Sequence, residues 1–217
     1  LLSTLVAAIG LIEDNVAVVV GAMVIAPLLG PNIALAFGSS LGDGRLLLAA
    51  IKTGLTGLAL AFMVSLAIGL AWPADVDRGE LLVSSTEIMA RTDVGLDGVA
   101  LALVSGAAAV LSLTTGLSSA LVGVMVAVAL LPPTATMGML MGAGYMELAV
   151  GAMLLLAVNV VCVILSAKIV FLAKGVQPRT WHERHKARQS TVLYGMIWSI
   201  LLLVLLLIIY LRHQVFT

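Results

Sequence analysis

The sequence predicts an all-α integral membrane protein with about seven transmembrane segments. Of its 217 residues, 62% are hydrophobic and only 10% are charged, and the mean hydropathy is +1.20. Soluble proteins are roughly 45–50% apolar and about 25% charged, so a soluble fold could not hide this much apolar surface. Two further observations shape the prediction: a proline-containing stretch occurs twice, and the connecting loops differ in charge.

Seven apolar segments make up most of the chain. A helix needs about 20 apolar residues to cross a bilayer. The first segment, residues 1–12, is shorter than that, and its abrupt start leads us to expect a preceding region. The other six segments are Val16–Leu41, Leu46–Trp72, Gly98–Leu113, Leu117–Leu140, Leu148–Leu172 and Val192–Leu211.

Two loops have opposite charge. Residues 73–97 contain six acidic and two basic side chains, whereas residues 175–191 contain four basic side chains and Glu183. The positive-inside rule places the basic loop in the cytoplasm. We therefore expect a prokaryotic plasma (inner) membrane protein with a cytoplasmic N-terminus and an extracytoplasmic acidic loop. Ser84 and Glu87 have capping-box spacing, which predicts a short interfacial helix in the acidic loop.

The stretch Val20–Pro31 recurs as Val122–Pro133. At an offset of 102 residues, seven of the twelve positions are identical. Each copy belongs to a group of three apolar segments, residues 1–72 and 98–174, and an odd number of segments reverses the orientation of the second group. The sequence therefore predicts two inverted repeats, followed by one extra C-terminal helix at 192–217. This architecture is typical of secondary transporters.

Proline and glycine interrupt both copies. Pro27, Gly30 and Pro31 lie in the first copy, and Pro132 and Pro133 lie in the second. Proline lacks an amide hydrogen and obstructs the preceding helical turn. We therefore expect broken helices near the middle of the membrane, where free carbonyls suit a cation and new helix starts suit an anion. A simple packing kink in each helix is the alternative.

Polar residues beside or between the breaks are the predicted binding residues. Asn32, Thr134 and Thr136 flank the breaks, where they would also serve as helix caps. Asn159 lies in the middle of an apolar segment, and a hydrogen bond between helices is its alternative role. Lys52 lies about two turns into its segment, where it either extends to the cytoplasmic surface or faces the bundle.

Asp14 and Asn15 separate the first two apolar segments. If the first segment spans the membrane, they belong to a solvated outer loop. If the short segments turn back inside the membrane, these side chains lie deeper and become ligands for a cation or a proton. No metal site or cofactor is expected, because Cys162 is the only cysteine and His182 and His185 are too few for one.

The run GLIEDNVAVVVGAMVIAPLLGPNIALAFGSSLGD resembles a prokaryotic family of multi-pass membrane proteins catalogued as domain of unknown function 389. The later run ALVGVMVAVALLPP resembles a second characteristic stretch of that family. The resemblance covers roughly residues 1–176. It implies a membrane fold, often with a soluble region before the first helix, and it implies no reaction or substrate.

The predicted function is a membrane transporter or channel-like permease for a small ion or polar solute. An enzyme is not predicted, because the sequence offers no nucleophile–base pair and no phosphate-binding loop. The alternative is a non-transporting membrane anchor, or an assembly or sensor module for a missing N-terminal soluble domain. The expected partners are the lipid bilayer and the solute, and not nucleic acid. The spacing of Gly38 with Gly42 and of Gly138 with Gly142 favours close helix contact and a homo-oligomer.

Overall fold

The structure, a computed structural model, describes residues 1–26, 29–71, 82–115, 119–175 and 181–216. None of these residues lies in a β-strand. The helices, in chain order, are α1 (Leu2–Ile12), α2 (Val16–Ile25), α3 (Leu29–Leu41), α4 (Gly44–Ala71), α5 (Thr86–Met89), α6 (Leu96–Thr115), α7 (Ser119–Gly142), α8 (Met146–Ala173) and α9 (Trp181–Phe216).

Apolar side chains cover much of the outer surface, especially on α4 and α9. Among the described residues, α4, α6, α8 and the Val192–Arg212 part of α9 are long and apolar enough to cross a membrane. The bent pair α2 and α3 provides a fifth span if it is counted as one. The protein is therefore an all-helical membrane protein. The structure supports four or five spans, whereas the sequence predicted about seven.

The predicted basic loop is helical over part of its length. Residues 181–191 were assigned to this loop, but their backbone forms the first part of α9, which begins at Trp181. Charged residues at a helix end are compatible with helix formation, and the hydropathy pattern marks only the apolar part of the helix.

The first proline-containing stretch interrupts a helix. α2 ends at Ile25, and Ala26 has an extended backbone with φ −74° and ψ 120°. This conformation follows from the sequence, because a residue that precedes proline disfavours the helical region. α3 continues at an angle of 56° to α2. Pro31 lies in the first turn of α3, where an amide hydrogen has no acceptor within the helix. Its absence therefore costs no helical hydrogen bond. Pro27 lies outside the described residues.

The second stretch does not interrupt its helix. α7 runs from Ser119 to Gly142 with Pro132 and Pro133 in its interior. The prediction of a second broken helix, with a new helix start near Thr134, was therefore wrong. Two interior prolines are costly in an isolated helix. α7 tolerates them in a buried environment, where residues 129–136 are all enclosed by neighbouring helices.

The helices that follow the two stretches correspond closely. α4 and α8 each contain 28 residues, and both bounds of α8 lie 102 residues after those of α4. The turn before each helix contains a glycine with positive φ, 69° at Gly42 and 91° at Gly144. Glycine adopts this left-handed conformation without a steric penalty. The offset found in the sequence therefore also holds for these helix bounds and turns.

Small residues bring α4 and α7 into close contact. Ser65 and Gly69 on α4 face Gly138 and Gly142 on α7. A Cβ atom added at Gly138 would lie 2.6 Å from Ser65 Cβ, and one at Gly142 would lie 2.5 Å from the Leu66 carbonyl oxygen. The close contact predicted for this glycine pair is confirmed. These glycines are thus used within one chain, so they do not by themselves favour a homo-oligomer.

A second contact joins the two halves through α3 and α8. The rings of Phe37 and Phe171 meet edge to face, with centroids 5.3 Å apart and planes inclined by 62°. Such aromatic pairs add stabilisation beyond the burial of their area. Each proline-containing helix therefore packs against the long helix of the other half, α7 against α4 and α3 against α8.

One end of the bundle, the acidic end, brings four parts of the chain together. They are Asp14, residues 82–97, the first turns of α8 and the end of α9. Gly151 in α8 lies directly against the Thr92 carbonyl oxygen. Arg212 in α9 donates to the Glu147 carbonyl oxygen at 2.7 Å. These contacts show that α8 and α9 run in opposite directions, because the start of α8 meets the end of α9.

The short helix predicted in the acidic segment is present as α5. Its N-cap is Ser85, whose hydroxyl oxygen accepts from the Ile88 amide at 3.2 Å. The prediction of Ser84 as the cap was therefore wrong by one residue. Leu82 and Ile88 are buried, so this segment packs against the helix bundle through both side chains.

Candidate binding site at the proline pair of α7

Pro132 and Pro133 remove two hydrogen-bond donors from the interior of α7. In an α-helix the amide of each residue donates to the carbonyl four residues earlier. The carbonyls that lose their donors are those of Val128 and Ala129. A buried carbonyl without a partner destabilises the fold, so the helices around α7 must supply other donors.

Asn159 on α8 supplies one of these donors. Its Nδ2 atom donates to the Ala129 carbonyl oxygen at 2.8 Å. The predicted helix–helix hydrogen bond of Asn159 is therefore confirmed. This bond also fixes the orientation of the amide, since a flipped side chain would place two oxygens against each other. Asn159 is 6% exposed, and its Oδ1 atom is buried without a hydrogen-bond partner among the described residues.

A cavity of about 280 Å³ lies beside this amide. Ala129, Pro133 and Asn159 line its inner part, together with Ser105 on α6. The Ser105 hydroxyl donates to the Leu101 carbonyl oxygen at 2.7 Å, which leaves its oxygen lone pairs as acceptors. The cavity therefore brings oxygen acceptors from two helices to the position where proline disrupts the hydrogen bonding of α7.

Charged residues of the acidic end line the outer part of the same cavity. They are three carboxylates and one guanidinium, from Glu87, Asp93, Asp97 and Arg91. Glu87 and Arg91 form an ion pair with an O–N distance of 2.6 Å. No described ion pair involves Asp93 or Asp97, and both side chains are exposed. Clefts lined by one sign of charge concentrate ions of the opposite sign, so this cavity entrance attracts cations.

Asp14 anchors the segment that forms this entrance. Its carboxylate accepts from the Thr86 hydroxyl at 2.6 Å and from the Glu87 amide at 2.7 Å. Hydrogen bonds to the ionised form stabilise it, and the Thr86 hydroxyl and the Glu87 amide hold the pKa of Asp14 below its usual value of 3.8. Asp14 itself has a positive φ of 54°, which aspartate tolerates better than most residues.

Asn15, which was predicted together with Asp14 as a possible ligand, caps α2. Its Oδ1 atom accepts from the amides of Ala17 and Val18 at 3.1 and 3.2 Å. Asn and Asp favour such positions because the side-chain oxygen satisfies helix-start amides. Asp14 and Asn15 both lie in the turn between α1 and α2, and their side-chain oxygens already accept these hydrogen bonds.

The residues predicted around the first break lie at a different cavity. Pro31 and Asn32 line a space of about 180 Å³ together with residues of α4, α8 and Trp198 on α9. Its walls are largely apolar. Gly30 is exposed, and a Cβ atom added there would meet nothing within 4 Å. Val160 and Ile164 line this space, whereas Asn159 lines the other, so α8 separates the two cavities.

The other predicted residues have separate environments. Thr134 donates its hydroxyl to the Leu130 carbonyl oxygen at 2.7 Å, which is a bond within α7. Thr136 is buried, and its hydroxyl oxygen has no hydrogen-bond partner among the described residues. Lys52 is exposed on α4. The structure therefore brings Asn159 and Pro133 together, with Pro132 adjacent, but it does not join them with Asn32 or Lys52.

Sequence reasoning did not single out Lys168, which lies in α8. Lys168 is 2% exposed, and its ammonium has no hydrogen-bond acceptor in the part of the chain that the structure describes. The ammonium lies 5.7 Å from the centroid of the Tyr194 ring on α9. Its burial depends on α9, whose position the hydropathy of α8 does not reveal. A signal was present, because an ionisable residue within an apolar helix is unusual.

Sequence reasoning also missed the combined role of Ser105, Asp93 and Asp97 at the cavity. The three residues lie in or just before α6, and only the contact of α6 with α7 and α8 brings them to Asn159. No group of three or more His, Cys, Asp or Glu side chains in the described ranges is arranged to hold a metal ion.

Comparison with known proteins places the chain in a family. The family model described as "Domain of unknown function (DUF389)" matches residues 23–165. An uncharacterized protein of Methanocaldococcus jannaschii, MJ0678, is 37% identical over 211 residues, which are 97% of this chain and 64% of that protein. The chain thus spans less than two thirds of that relative's length, and no solved structure matches it. Because the family model covers more than half of its residues, the chain belongs to the DUF389 family, as its sequence motifs predicted.

Proposed function

We propose that the protein is a membrane permease for a small cation, which enters through the cavity between the acidic end and Asn159. One observation carries this proposal: the Asn159 Oδ1 atom is buried without a partner at the inner end of a cavity with a negatively charged entrance. Amide, hydroxyl and carbonyl oxygens are the ligands that hard cations prefer. A polar atom that is buried in a membrane domain without a partner is a candidate for a solute pathway.

The proline pair supports the same proposal. Pro132 and Pro133 leave two carbonyls without helical donors, and only the Ala129 carbonyl is met by Asn159. Irregular hydrogen bonding at membrane depth is tolerated where it is enclosed by protein or lines a water-filled space. The Asn159 Oδ1 atom and the hydroxyl oxygen of Ser105 both line the cavity beside this pair, and they are proposed to coordinate a dehydrated cation.

The two halves are proposed to be inverted repeats. Gly69 lies near the end of α4 and contacts Gly142, which precedes the start of α8. Phe37 lies in α3, just before α4 in the chain, and contacts Phe171 near the end of α8. These contacts support opposite directions for α4 and α8. In this arrangement the cavity at Pro31 is the counterpart of the cavity at Pro133, and it opens toward the other side of the membrane.

The acidic end is proposed to face outward. The basic residues between 175 and 191 follow the far end of α8, and the positive-inside rule places them in the cytoplasm. Asp14, Asp93 and Asp97 would then face the extracytoplasmic solution. The cation would therefore enter from outside, where a negative entrance raises its local concentration.

Thiol labelling tests whether water reaches the cavity. With Cys162 replaced by serine, Ser105→Cys and Ser65→Cys are compared under a membrane-impermeant thiol reagent. Both serines are buried, but only Ser105 lines the cavity, whereas Ser65 faces Gly138 in a tight helix contact. Labelling of position 105 from outside, without labelling of position 65, is expected. Equal protection of both positions would contradict a water-filled entrance.

Flux measurements in liposomes test the transport step. We expect uptake of one cation from a panel of Na⁺, K⁺ and H⁺, measured at low ionic strength. The double variant Asp93→Asn/Asp97→Asn should slow uptake, and the difference should shrink at high salt because salt screens exposed charges. Asp43→Asn, at the turn before α4, is the control at the opposite end. Equal fluxes in all three proteins would contradict steering by the acidic end.

A non-transporting membrane anchor is the second candidate. The observation that favours it is length, since the relative is longer than this chain, which covers 64% of it. A further region could then perform the activity while the helices hold it at the membrane. Protection of Ser105→Cys together with absence of flux for every cation tested would favour this function over a permease.

A further inference from the structure

A second cavity, of about 720 Å³, lies at the acidic end between α6, α8 and α9. Its volume lies within the range of about 300–1,000 Å³ that is usual for small-molecule sites. The walls are mainly apolar and include Val99, Leu154, Leu206 and Ile209. Arg212 and Asp93 provide charged groups at the same cavity. It therefore combines an apolar interior with a cationic group at the end of a transmembrane span.

Arg212 ends the apolar span Val192–Arg212 of α9. Its guanidinium donates to the Glu147 carbonyl oxygen at 2.7 Å. A guanidinium has five N–H donors, and this is its only described hydrogen bond, with no described carboxylate partner. The arginine is thus held in place by α8 while donors remain for an anion. Arginine binds phosphate oxygens particularly well because its planar donors match their geometry.

We propose that this cavity binds one phospholipid, with its phosphate on Arg212 and one acyl chain along Val99, Leu154 and Ile209. Only 6% of the most apolar stretch within Val192–Arg212 is buried, so this part of α9 faces the bilayer and lipid chains reach the wall of the cavity directly. A soluble anion would leave the apolar part of the cavity unfilled, whereas a phospholipid fills both parts. Binding of the phospholipid does not depend on cation transport, whereas its effect on the entrance rests on the proposed function.

The lipid would also contact the wall of the proposed cation entrance. Asp93 and Gly95 line both cavities, so one short segment separates them. A phosphate on Arg212 would add negative charge close to Asp93. A bound phospholipid therefore acts on the entrance in two ways, by holding the segment in place and by increasing the negative potential that attracts cations.

Native mass spectrometry of delipidated protein tests the site. The probes are dioleoylphosphatidylglycerol and dioleoylglycerol, which carry the same acyl chains with and without phosphate. The parent protein is expected to retain one phosphatidylglycerol, and Arg212→Gln to bind it about tenfold more weakly, a loss typical of one charge-assisted contact. The glutamine side chain is two bonds shorter than the arginine donor, so the variant loses the Glu147 contact together with the charge, and a second variant that keeps Arg212 is needed. Arg45→Gln, an exposed arginine at the opposite end, is the control and should bind like the parent.

Leu206→Trp provides a second test that leaves Arg212 unchanged, because the larger side chain occupies the cavity. It should also lose the retained phosphatidylglycerol. Thermal unfolding of each variant without lipid verifies that the fold is intact. Unchanged retention in both Arg212→Gln and Leu206→Trp would overturn the proposal, and so would equal retention of dioleoylglycerol and phosphatidylglycerol by the parent.

Discussion

The side-chain amide of Asn159 donates to the Ala129 carbonyl at 2.8 Å, and Ala129 is the residue whose helical donor Pro133 removes. A residue on α8 thus replaces a hydrogen bond that α7 cannot make. The two positions are 30 residues apart in sequence, so this is a tertiary repair of a local defect. It replaces one of the two donors that the proline pair removes, whereas α2 ends where Pro27, which aligns with Ala129, restricts Ala26.

This relationship predicts that Asn159 and Pro133 are energetically coupled. Asn159→Leu should lower the free energy of unfolding by about 1–3 kcal/mol, because it leaves the buried Ala129 carbonyl without a donor. In the double variant Asn159→Leu/Pro133→Ala, the amide of residue 133 can donate to that carbonyl, so most of the loss should be recovered. Thermal or denaturant unfolding of all four proteins in detergent measures the coupling. Simple additivity of the two changes would show that the carbonyl does not depend on Asn159.

The contact between α4 and α7 predicts a difference between glycines. Gly138→Ala should lower the free energy of unfolding by about 1–3 kcal/mol, since the new Cβ would overlap Ser65 and the Phe62 carbonyl. Gly21→Ala is the matched control. Gly21 also lies within a helix, but a Cβ there meets nothing within 4 Å. The control should be neutral or stabilising by up to about 1 kcal/mol, because alanine favours helix. Unfolding midpoints of the two variants give the comparison.

Asp14 predicts an acid-sensitive contribution to stability. The hydrogen bonds from Thr86 and Glu87 lower the pKa of Asp14 in the folded protein below the unfolded value of 3.8. Its contribution is therefore fully present above the unfolded pKa and is lost as the pH falls through the lower folded pKa. Asp14→Asn should flatten the dependence of the unfolding temperature on pH below about 4. Thr86→Val, which removes the largest cause of the shift, should flatten it partly. A steep acid dependence that survives in Asp14→Asn would assign the effect to other groups.

Lys168 predicts a stabilising substitution. A buried ammonium without a hydrogen-bond acceptor is unfavourable, and the contact with Tyr194 offsets only part of that cost, about 2 kcal/mol at most. Lys168→Met keeps a similar shape without the charge, so it should raise the unfolding temperature. Lys52→Met is the control on an exposed lysine and should change stability by less than about 0.5 kcal/mol. A marked destabilisation by Lys168→Met would mean that Lys168 holds an anionic partner.

Local features of the fold were predictable from sequence because their causes are local. The end of α2 follows from Pro27, which restricts Ala26, and the turn before α4 follows from Gly42 and the capping carboxylate of Asp43. The continuity of α7 was not predicted, and the donor that meets its Ala129 carbonyl comes from Asn159 in another helix. Asn159 was recognised as a candidate because a polar residue in an apolar segment stands out. The cavity beside it was not, since α6, α7 and α8 form it together.

The burial of Lys168 has the same explanation. The sequence of α8 alone does not show that α9 packs over Lys168 and places Tyr194 beside its ammonium. The N-cap of α5 was missed by one residue because Ser84 and Ser85 are both good caps. The contacts of Ser85 with Leu11 and Ile88, which favour it, depend on the packing of α1.

The contact between α4 and α7 has a consequence for synthesis. Translation completes α4 at Ala71, but the surface that covers Ser65 and Gly69 belongs to α7, which begins at Ser119. While the intervening chain is being made, the small-residue face of α4 is not yet covered by α7. The first half must therefore wait in the bilayer in an incomplete state, and insertion of the second half completes the folding of both.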